Sequence, residues 1–386
     1  MREYFSQTKL FYAPFTSFIQ STMNFAHIKC IGLALILFIS CNSTEKKEDI
    51  VDFNKEFFLE HTQYDTELFI KHGRITVIDS FIILISNQQD PFCKLYSITQ
   101  NMKEVGGYGR VGSGPNEFIQ PLLTYSYDNT FGLNEINKKE LAIMHLLIEK
   151  QNLSVIEKKR LKADTKKDEE QVFRTDYYFS RLDDEHYVSL LYDNNNKYFS
   201  LFDSTLTLIS RFGESPINEK VSPSVAVNRL QGRIAACEGT MTFATSYLPY
   251  LACYQLRDTI MEKKWSFFYD RPHYGIRNGD LLFNKEKSYG QVINLKMDAR
   301  FIYLLYLDQL LSEFNINQTE KSMSNLILVF DYEGNAIAKL HLSCRINEMA
   351  LSNDGKKLYG IAHLPEPTIV DFNLSKIKEK FTHSIN

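Results

Sequence analysis

A chain of 386 residues is long enough for two ordinary domains, yet closed all-β folds reach this size as single units. Aromatic residues make up 13%, with 22 Tyr and 28 Phe against 1 Trp, which favours pleated, half-buried strands over helix bundles. A formal net charge of −3 leaves no summed positive field to hold a phosphate backbone or an anionic membrane surface, so nucleic acid is not an expected partner.

The amino terminus carries export signals. Ile31–Ser40 (IGLALILFIS), preceded by His27 and Lys29 and followed at once by Cys41, has the n-region and h-region of a secretory signal and is too short to span a bilayer. A start at Met23 would make that signal compact, with Met1–Thr22 lying upstream of the true start codon. Phe38-Ile39-Ser40-Cys41 resembles a bacterial lipobox, although Phe38 stands where that family prefers Leu or another aliphatic. The resemblance implies a signal peptide over 1–40 and a diacylated Cys41; an ordinary cleaved signal or a buried apolar strand is the alternative. Asn42–Ile50 is polar and charged and reads as a tether, so residues 41–53 are expected to form a lipid-anchored linker and 54–386 the folded domain. Lys47-Glu48-Asp49 also resembles the Lys-plus-acid signals that send lipoproteins of the Bacteroides group to the cell surface, which implies an outer-membrane lipoprotein of the cell envelope.

Of the cysteines, Cys30 leaves with the signal and Cys41 takes the lipid, leaving Cys93, Cys237, Cys253 and Cys344. Their spacing matches no metal motif. Each sits in an apolar stretch and reads as a small buried hydrophobe, with a Cys237–Cys253 bridge between adjacent strands as the alternative.

From about residue 70 the chain repeats one pattern: an alternating strand, a turn rich in Asn, Asp or Gly, another strand, then a polar loop. The first unit runs Arg74–Ser86, then Lys94–Thr99, and ends in a Gly-rich loop. A later one reads His186–Tyr192, the turn Asp193–Asn196, Tyr198–Asp203 and Leu206–Phe212. Ser324–Tyr332 and Ala336–Leu342 flank Glu333-Gly334-Asn335, where Gly334 would take φ > 0. Ile346–Leu351, Asn353-Asp354-Gly355, Lys357–Ala362 and Thr368–Asn373 close the chain, with Asp-Gly the strongest hairpin signal. Units recur at roughly 45–55 residues, a period that belongs to propeller blades of four strands, and about six fit after residue 66. The expected fold is an all-β, six-bladed propeller of four-stranded antiparallel blades, with a sandwich or barrel as the rival. Lys139–Lys150 reads equally as helix or buried strand, and Lys158–Glu170 as a solvated loop.

The most specific local signal is Tyr108–Pro121 (YGRVGSGPNEFIQP). Gly112, Gly114, Phe118 and Pro121 fall on the positions of a Gly-x-Gly-x-x-x-Phe-x-x-Pro loop, and the segment resembles the NHL-type repeat. With the lipoprotein start it is similar to the BF3164-type lipoproteins of the Bacteroides group, described as TolB-like six-bladed propellers, in which Gly-x-Gly-Pro-x-Glu-Phe recurs. Read physically, Gly109, Gly112 and Gly114 permit φ > 0 as the chain passes between blades, Pro115 stiffens the turn, and Phe118 plugs the gap between neighbouring blades. Phosphate binding does not fit, because the loop lacks a Gly-Lys-Ser/Thr ending and opens no helix. Phe212-Gly213-Glu214-Ser215-Pro216 looks like a degenerate second copy.

No paired-histidine zinc motif and no Gly-x-Ser-x-Gly elbow occurs, so the sequence names no catalytic residue, which stays unknown, and no metal or cofactor is expected. Asp183-Asp184-Glu185 reads as a solvated turn rather than a cation site. Arg74, Arg110, Arg174 and Asn228 lie near predicted strand starts and are candidates for a channel mouth. The expected role is a lipid-anchored binding or scaffold module for an envelope protein, peptide or glycan; the alternative is a channel-centred lyase or hydrolase, metal-assisted or not.

Overall fold

Two short strands, β1 (Glu56–Leu59) and β2 (His61–Gln63), precede the first repeat. Arg74–Ser86 is one apolar run in sequence, but Asp79 takes φ 52° and turns the chain, giving β3 (Arg74–Ile78) and β4 (Phe81–Ile85) where a single strand is expected. With β5 (Cys93–Ser97) and β6 (Lys103–Tyr108) they form a four-stranded antiparallel meander. The structure is a computed structural model; it describes residues 51–382 except 67, 69–71, 115–116, 136–137, 139, 150–151, 163–178, 191–196 and 315–318. The signal segment, Cys41, Pro115, Arg174 and the turn Asp193–Asn196 lie outside the described residues. The chain divides after Glu48, and every described strand belongs to the unit Asp49–Asn386.

The meander recurs three times. β7 (Pro121–Tyr127), β8 (Thr130–Glu135), β9 (Glu140–Glu149) and β10 (Asn152–Lys162) form the second sheet. β9 settles the ambiguous apolar stretch as strand, paired by β8 on one side and β10 on the other. Lys158–Lys162 is a correction: it completes β10 instead of starting a loop, its charges lying along a sheet edge where they discourage pairing with a foreign strand. β11 (Phe179–Arg181), β12 (His186–Leu190), β13 (Phe199–Asp203) and β14 (Leu208–Phe212) form the third sheet. The fourth comprises β15 (Gly232–Cys237), β16 (Thr240–Thr245), β17 (Tyr250–Arg257) and β18 (Ile260–Phe268). A short helix α1 (Pro223–Arg229) lies before the fourth sheet, and a hairpin, β19 (Tyr274–Arg277) and β20 (Asp280–Phe283), follows it.

The remaining strands, β21 (Val292–Met297), β22 (Phe301–Tyr306), β23 (Ser324–Asp331), β24 (Ala336–Leu351), β25 (Lys357–His363) and β26 (Pro367–Asn373), join β2 and β1 in one eight-stranded sheet. Its register shows two blades sharing a strand. The first part of β24 pairs with β23 from Ala336 to His341 and once more at Ile346, opposite Ser324, and from Ile346 onward it pairs with β25. One continuous strand therefore serves as the outer strand of the fifth blade and the inner strand of the sixth, and with the four separate sheets this makes six blades. Gly334 at φ 87° and Gly355 at φ 62° make the two tight turns that flank β24.

Six apolar cores, one between each pair of adjacent blades, close the ring. Phe131 and Phe92 share the core between the first and second blades, Phe179 and Tyr125 that between the second and third, and Phe243 meets Phe199 between the third and fourth. Leu251 and Phe330 share the next core, Tyr303 and Phe372 the next, and Tyr359 and Ile75 join the sixth blade back to the first. The inner strands β3, β7, β11, β15, β21 and the second half of β24 are neighbours in that order and return to β3. A sandwich would give two facing layers and a single core; six cores around a ring of inner strands is a propeller.

Closure is made by the amino-terminal segment. β2 adds an outer strand to β26, and β1 runs parallel to β24. Val51 and Phe53, assigned to the tether on composition, pack instead on the core between the fourth and fifth blades, where the Phe53 ring meets Phe330 at 5.2 Å. Tyr64 Oη, just after β2, donates to the buried Asp371 carboxylate, which also accepts from Lys357 Nζ at 3.0 Å. Tyr64→Phe is therefore expected to lower unfolding stability by about 1.5–3 kcal/mol, the range for a hydrogen bond to a charged group. Urea denaturation measures it, and a change below about 0.5 kcal/mol would mean that Lys357 alone satisfies the carboxylate. The carboxy-terminal helix α2 (Ser375–Thr382) packs Phe381 on Phe57 and Phe301.

Candidate functional site

All six inner strands contribute to one axial channel. Its core is a cavity of about 60 Å³ lined by Arg74 from β3, Leu123 and Thr124 from β7, Ser180 from β11, Arg233 from β15, Asn294 and Lys296 from β21, and Glu348 from β24. It widens at the leading ends of the inner strands into a mouth of about 380 Å³, whose wall includes His72, Gln120, Gln291, Asn347 and Phe314. At the opposite end the lining is mostly hydroxyl and apolar, with Thr76, Ser126, Ala236, Met297 and Leu351, and Lys296 reaches this end as well.

Each cation is held by a different blade. Arg74 Nη1 donates to Leu123 O of the second blade at 3.1 Å, and Arg233 Nε donates to Ile293 O of the fifth at 3.1 Å. These bonds tie adjacent blades and fix where the guanidinium groups sit. Asn294 Nδ2 donates to Glu348 Oε1, joining the fifth and sixth blades inside the channel. Burial pushes the Lys296 ammonium below the ordinary lysine value; Glu348 opposes the shift, and Arg74 and Arg233 add to it. Among the described residues that line the chamber, Arg74, Arg233 and Lys296 stand beside one carboxylate, Glu348, so the chamber offers charged groups of both signs together with the Asn294 amide. Among the described residues no group of three or more His, Cys, Asp and Glu side chains is placed to hold a metal ion.

The chain's match to a family model, the TolB-like 6-blade propeller-like family, spans residues 52–354. The chain belongs to the TolB-like six-bladed propellers. A Bacteroides fragilis protein described as exported shares 12% identity with this TolB-like propeller, with a TM-score of 0.51 over 82% of this chain and 98% of that one. A member of the DUF4221 family from Bacteroides vulgatus shares 10% identity, with a TM-score of 0.48 over 85% and 98% of the two chains. A search of curated proteins returns no significant match.

Of the described channel-mouth candidates named from sequence, the TolB-like ring brings Arg74 to the channel. Arg110 is exposed in the loop between the first two blades, its carbonyl accepting from Phe118 N at 3.2 Å. Asn228 is exposed on α1, with Nδ2 donating to Ser224 O at 2.8 Å, and neither residue is part of the chamber or mouth lining described above. Arg233, Asn294, Lys296 and Glu348 escaped sequence reading. Their one available signal is a polar residue inside a strand otherwise reading as buried, and neither Val292–Met297 nor Ile346–Leu351 stands out by that measure.

The junction loop has the following geometry. Phe118 is wholly buried, its ring meeting Phe92 at 5.1 Å and lying under the Arg160 guanidinium at 4.6 Å. Gly109 takes φ 78°, and a Cβ there would lie 2.2 Å from the Phe92 ring. Gly213 repeats the device at φ 76°, 2.3 Å from Phe199, one turn after the third blade's outer strand. Gly112 and Gly114 differ from expectation, since neither is left-handed. Glu117 folds its carboxylate over both and accepts from Gly114 N at 2.7 Å, filling the space that side chains there would need. Pro121 begins β7, buried at the mouth.

The remaining calls resolve locally. Cys237 lies on β15 and Cys253 on β17, with β16 between them, and both are free thiols along with Cys93 and Cys344. The bridge between adjacent strands is therefore corrected: the two residues do not occupy adjacent strands. Asp183 caps its own turn, accepting from Glu185 N and His186 N at 2.8 Å, while Asp184 pairs with Arg181 at 2.5 Å.

Proposed function

We propose that this protein is a binding module of the bacterial cell envelope, held to the membrane by lipid on Cys41, that offers its channel mouth to an envelope protein, peptide or glycan. The observation that carries the reading is the convergence of Arg74, Arg233, Lys296, Asn294 and Glu348 on one chamber, with the two arginines tied to neighbouring blades and Asn294 bonded to Glu348. A rigid, preorganised, charged concavity suits recognition. Membership of the TolB-like family and the exported description of the Bacteroides fragilis relative support an envelope location. The Gly109–Pro121 loop supports the closer kinship with NHL-type repeats and BF3164-type lipoproteins.

Cross-linking capture from intact membranes tests the binding reading. The wild-type protein should retain a partner that an Arg74→Gln, Arg233→Gln double variant loses; recovery of the same partners by both would place binding elsewhere. Labelled palmitate tests the anchor: incorporation should disappear in Cys41→Ser, and an unlabelled wild-type protein would contradict it. The enzyme reading, a channel-centred lyase or hydrolase, draws on the lowered lysine alone, since a buried amine with depressed basicity is a possible nucleophile. Borohydride trapping of a carbonyl compound on Lys296 would favour it.

A further inference from the structure

The mouth of the channel is framed by groups whose hydrogen bonding does not depend on charge. Side-chain amides line it from four blades: Asn87 follows the second strand of the first, Gln120 leads into the second, Gln291 leads into the fifth, and Asn347 stands on the inner strand of the sixth. Each carries donors and an acceptor on one planar group. Asn347 Oδ1 is buried without a partner among the described residues, an acceptor left for a donor. Deeper in, Glu348 is 9% exposed, and its carboxylate, oriented by Asn294, has lone pairs for further donors. The wall on the side of the fifth blade is preformed. Gly290 N donates to Gln309 O and Leu311 N to Ser288 O, both at 3.0 Å, and Ser312 N to Lys285 O at 3.1 Å, which laces two connections together. Gln291 and Phe314 lie just beyond these bonds, and both line the mouth.

The mouth, about 380 Å³, is at the small end of the range for organic ligands, far below what a folded partner would fill. A peptide is read along a line, by a strand edge or a row of side-chain pockets, whereas these amides converge from several sides of a ring. Convergence suits a compact ligand with hydroxyls around its rim and an apolar C–H face, and Leu122, Ile293 and Phe314 supply apolar surface on the same wall. Resting on the binding reading above, we propose that the channel mouth binds the end of a glycan by its hydroxyls. The sugar donates to Asn347 Oδ1 and to Glu348, its other hydroxyls meet the amides of Asn87, Gln120 and Gln291, and its C–H face lies toward Phe314. These contacts neither require nor exclude a charge on the sugar.

The test begins with the full-length protein, purified from membranes in a detergent without a sugar head group, on an array of neutral and acidic oligosaccharides. The strongest binder is then titrated calorimetrically beside its O-methylated form and a tetra-alanine peptide. At least one oligosaccharide should bind, and the methylated form, which keeps its acceptors but has no hydroxyl to donate, should bind at least about tenfold more weakly, as should the peptide. Asn347→Leu, which keeps the size of the side chain and removes the buried acceptor, and Phe314→Ala should each weaken binding about tenfold, with circular dichroism and melting confirming that the variants remain folded. Absence of binding by every oligosaccharide, equal affinity for the methylated form or the peptide, or binding unchanged in both folded variants would each overturn the proposal. A membrane partner that Asn347→Leu loses, with no oligosaccharide bound, would overturn only the ligand class and leave the binding module standing; if membrane partners are also unaffected by the channel variants, the binding reading itself falls.

Discussion

Phe118→Ala should cost about 3–5 kcal/mol of unfolding stability, the range for emptying a fully buried aromatic site. The ring is inaccessible to solvent and is held between Phe92 in the first blade and Arg160 in the second. Its loss removes apolar burial, an edge-to-face aromatic contact and a cation–π contact together. Arg160 would remain, paired with Glu140 and Glu157 at 3.3 and 2.6 Å, but its guanidinium would then face a void. Phe118→Leu should cost less, about 1–2 kcal/mol, because most of the volume survives. Guanidinium denaturation of both variants measures the difference. A cost below about 1 kcal/mol for the alanine variant would mean that the blades can collapse onto the gap.

Stability should fall steeply above pH 10. Burial raises the phenol of Tyr359 to about 12 and pushes those of Tyr96, Tyr125, Tyr254, Tyr269 and Tyr303 up in the same direction. A group whose folded value is raised contributes stability that is complete below its unfolded value and disappears as pH climbs through the folded one. For tyrosine that window opens near 10; for the buried thiols of Cys253 and Cys344, raised to about 11, it opens earlier, near 9. Tyr359 alone accounts for about 2 kcal/mol between pH 10 and 12, from its folded value of about 12 against 10 unfolded. Lys296 acts in the opposite sense, since its lowered value makes its charge a burden that rising pH relieves, but it is one group against many. Urea melts at pH 8, 10 and 11 follow the loss, and phenolate absorbance should rise with unfolding rather than ahead of it. Ionisation of these tyrosines in a still-folded protein would contradict their burial.

Much of the fold was legible because the forces that specify it are local. Alternation marked β12, β13, β23, β25 and β26 to within a few residues, and Gly334 and Gly355 marked their turns through the conformational freedom of glycine. Where alternation ran through a turn made by a residue other than glycine, the reading failed, as at Asp79 inside Arg74–Ser86. The same limit hid the continuity of β24, because a strand that changes partners at Ile346 has no sequence mark at the exchange. Val51 and Phe53 looked like linker because their partners lie far along the chain, in the fifth blade.

Composition, period and turn chemistry determined by themselves that the chain is all-β and built of repeated four-stranded units, and the glycine and phenylalanine spacing singled out the junction loop. Only the closed ring decided the site. Arg74, Arg233, Lys296 and Glu348 stand on four inner strands spread over some 270 residues, and each is an isolated polar residue until the blades wrap around one axis. Strand and turn propensities act between near neighbours in sequence, whereas a channel is assembled from residues that become neighbours only after six sheets have packed.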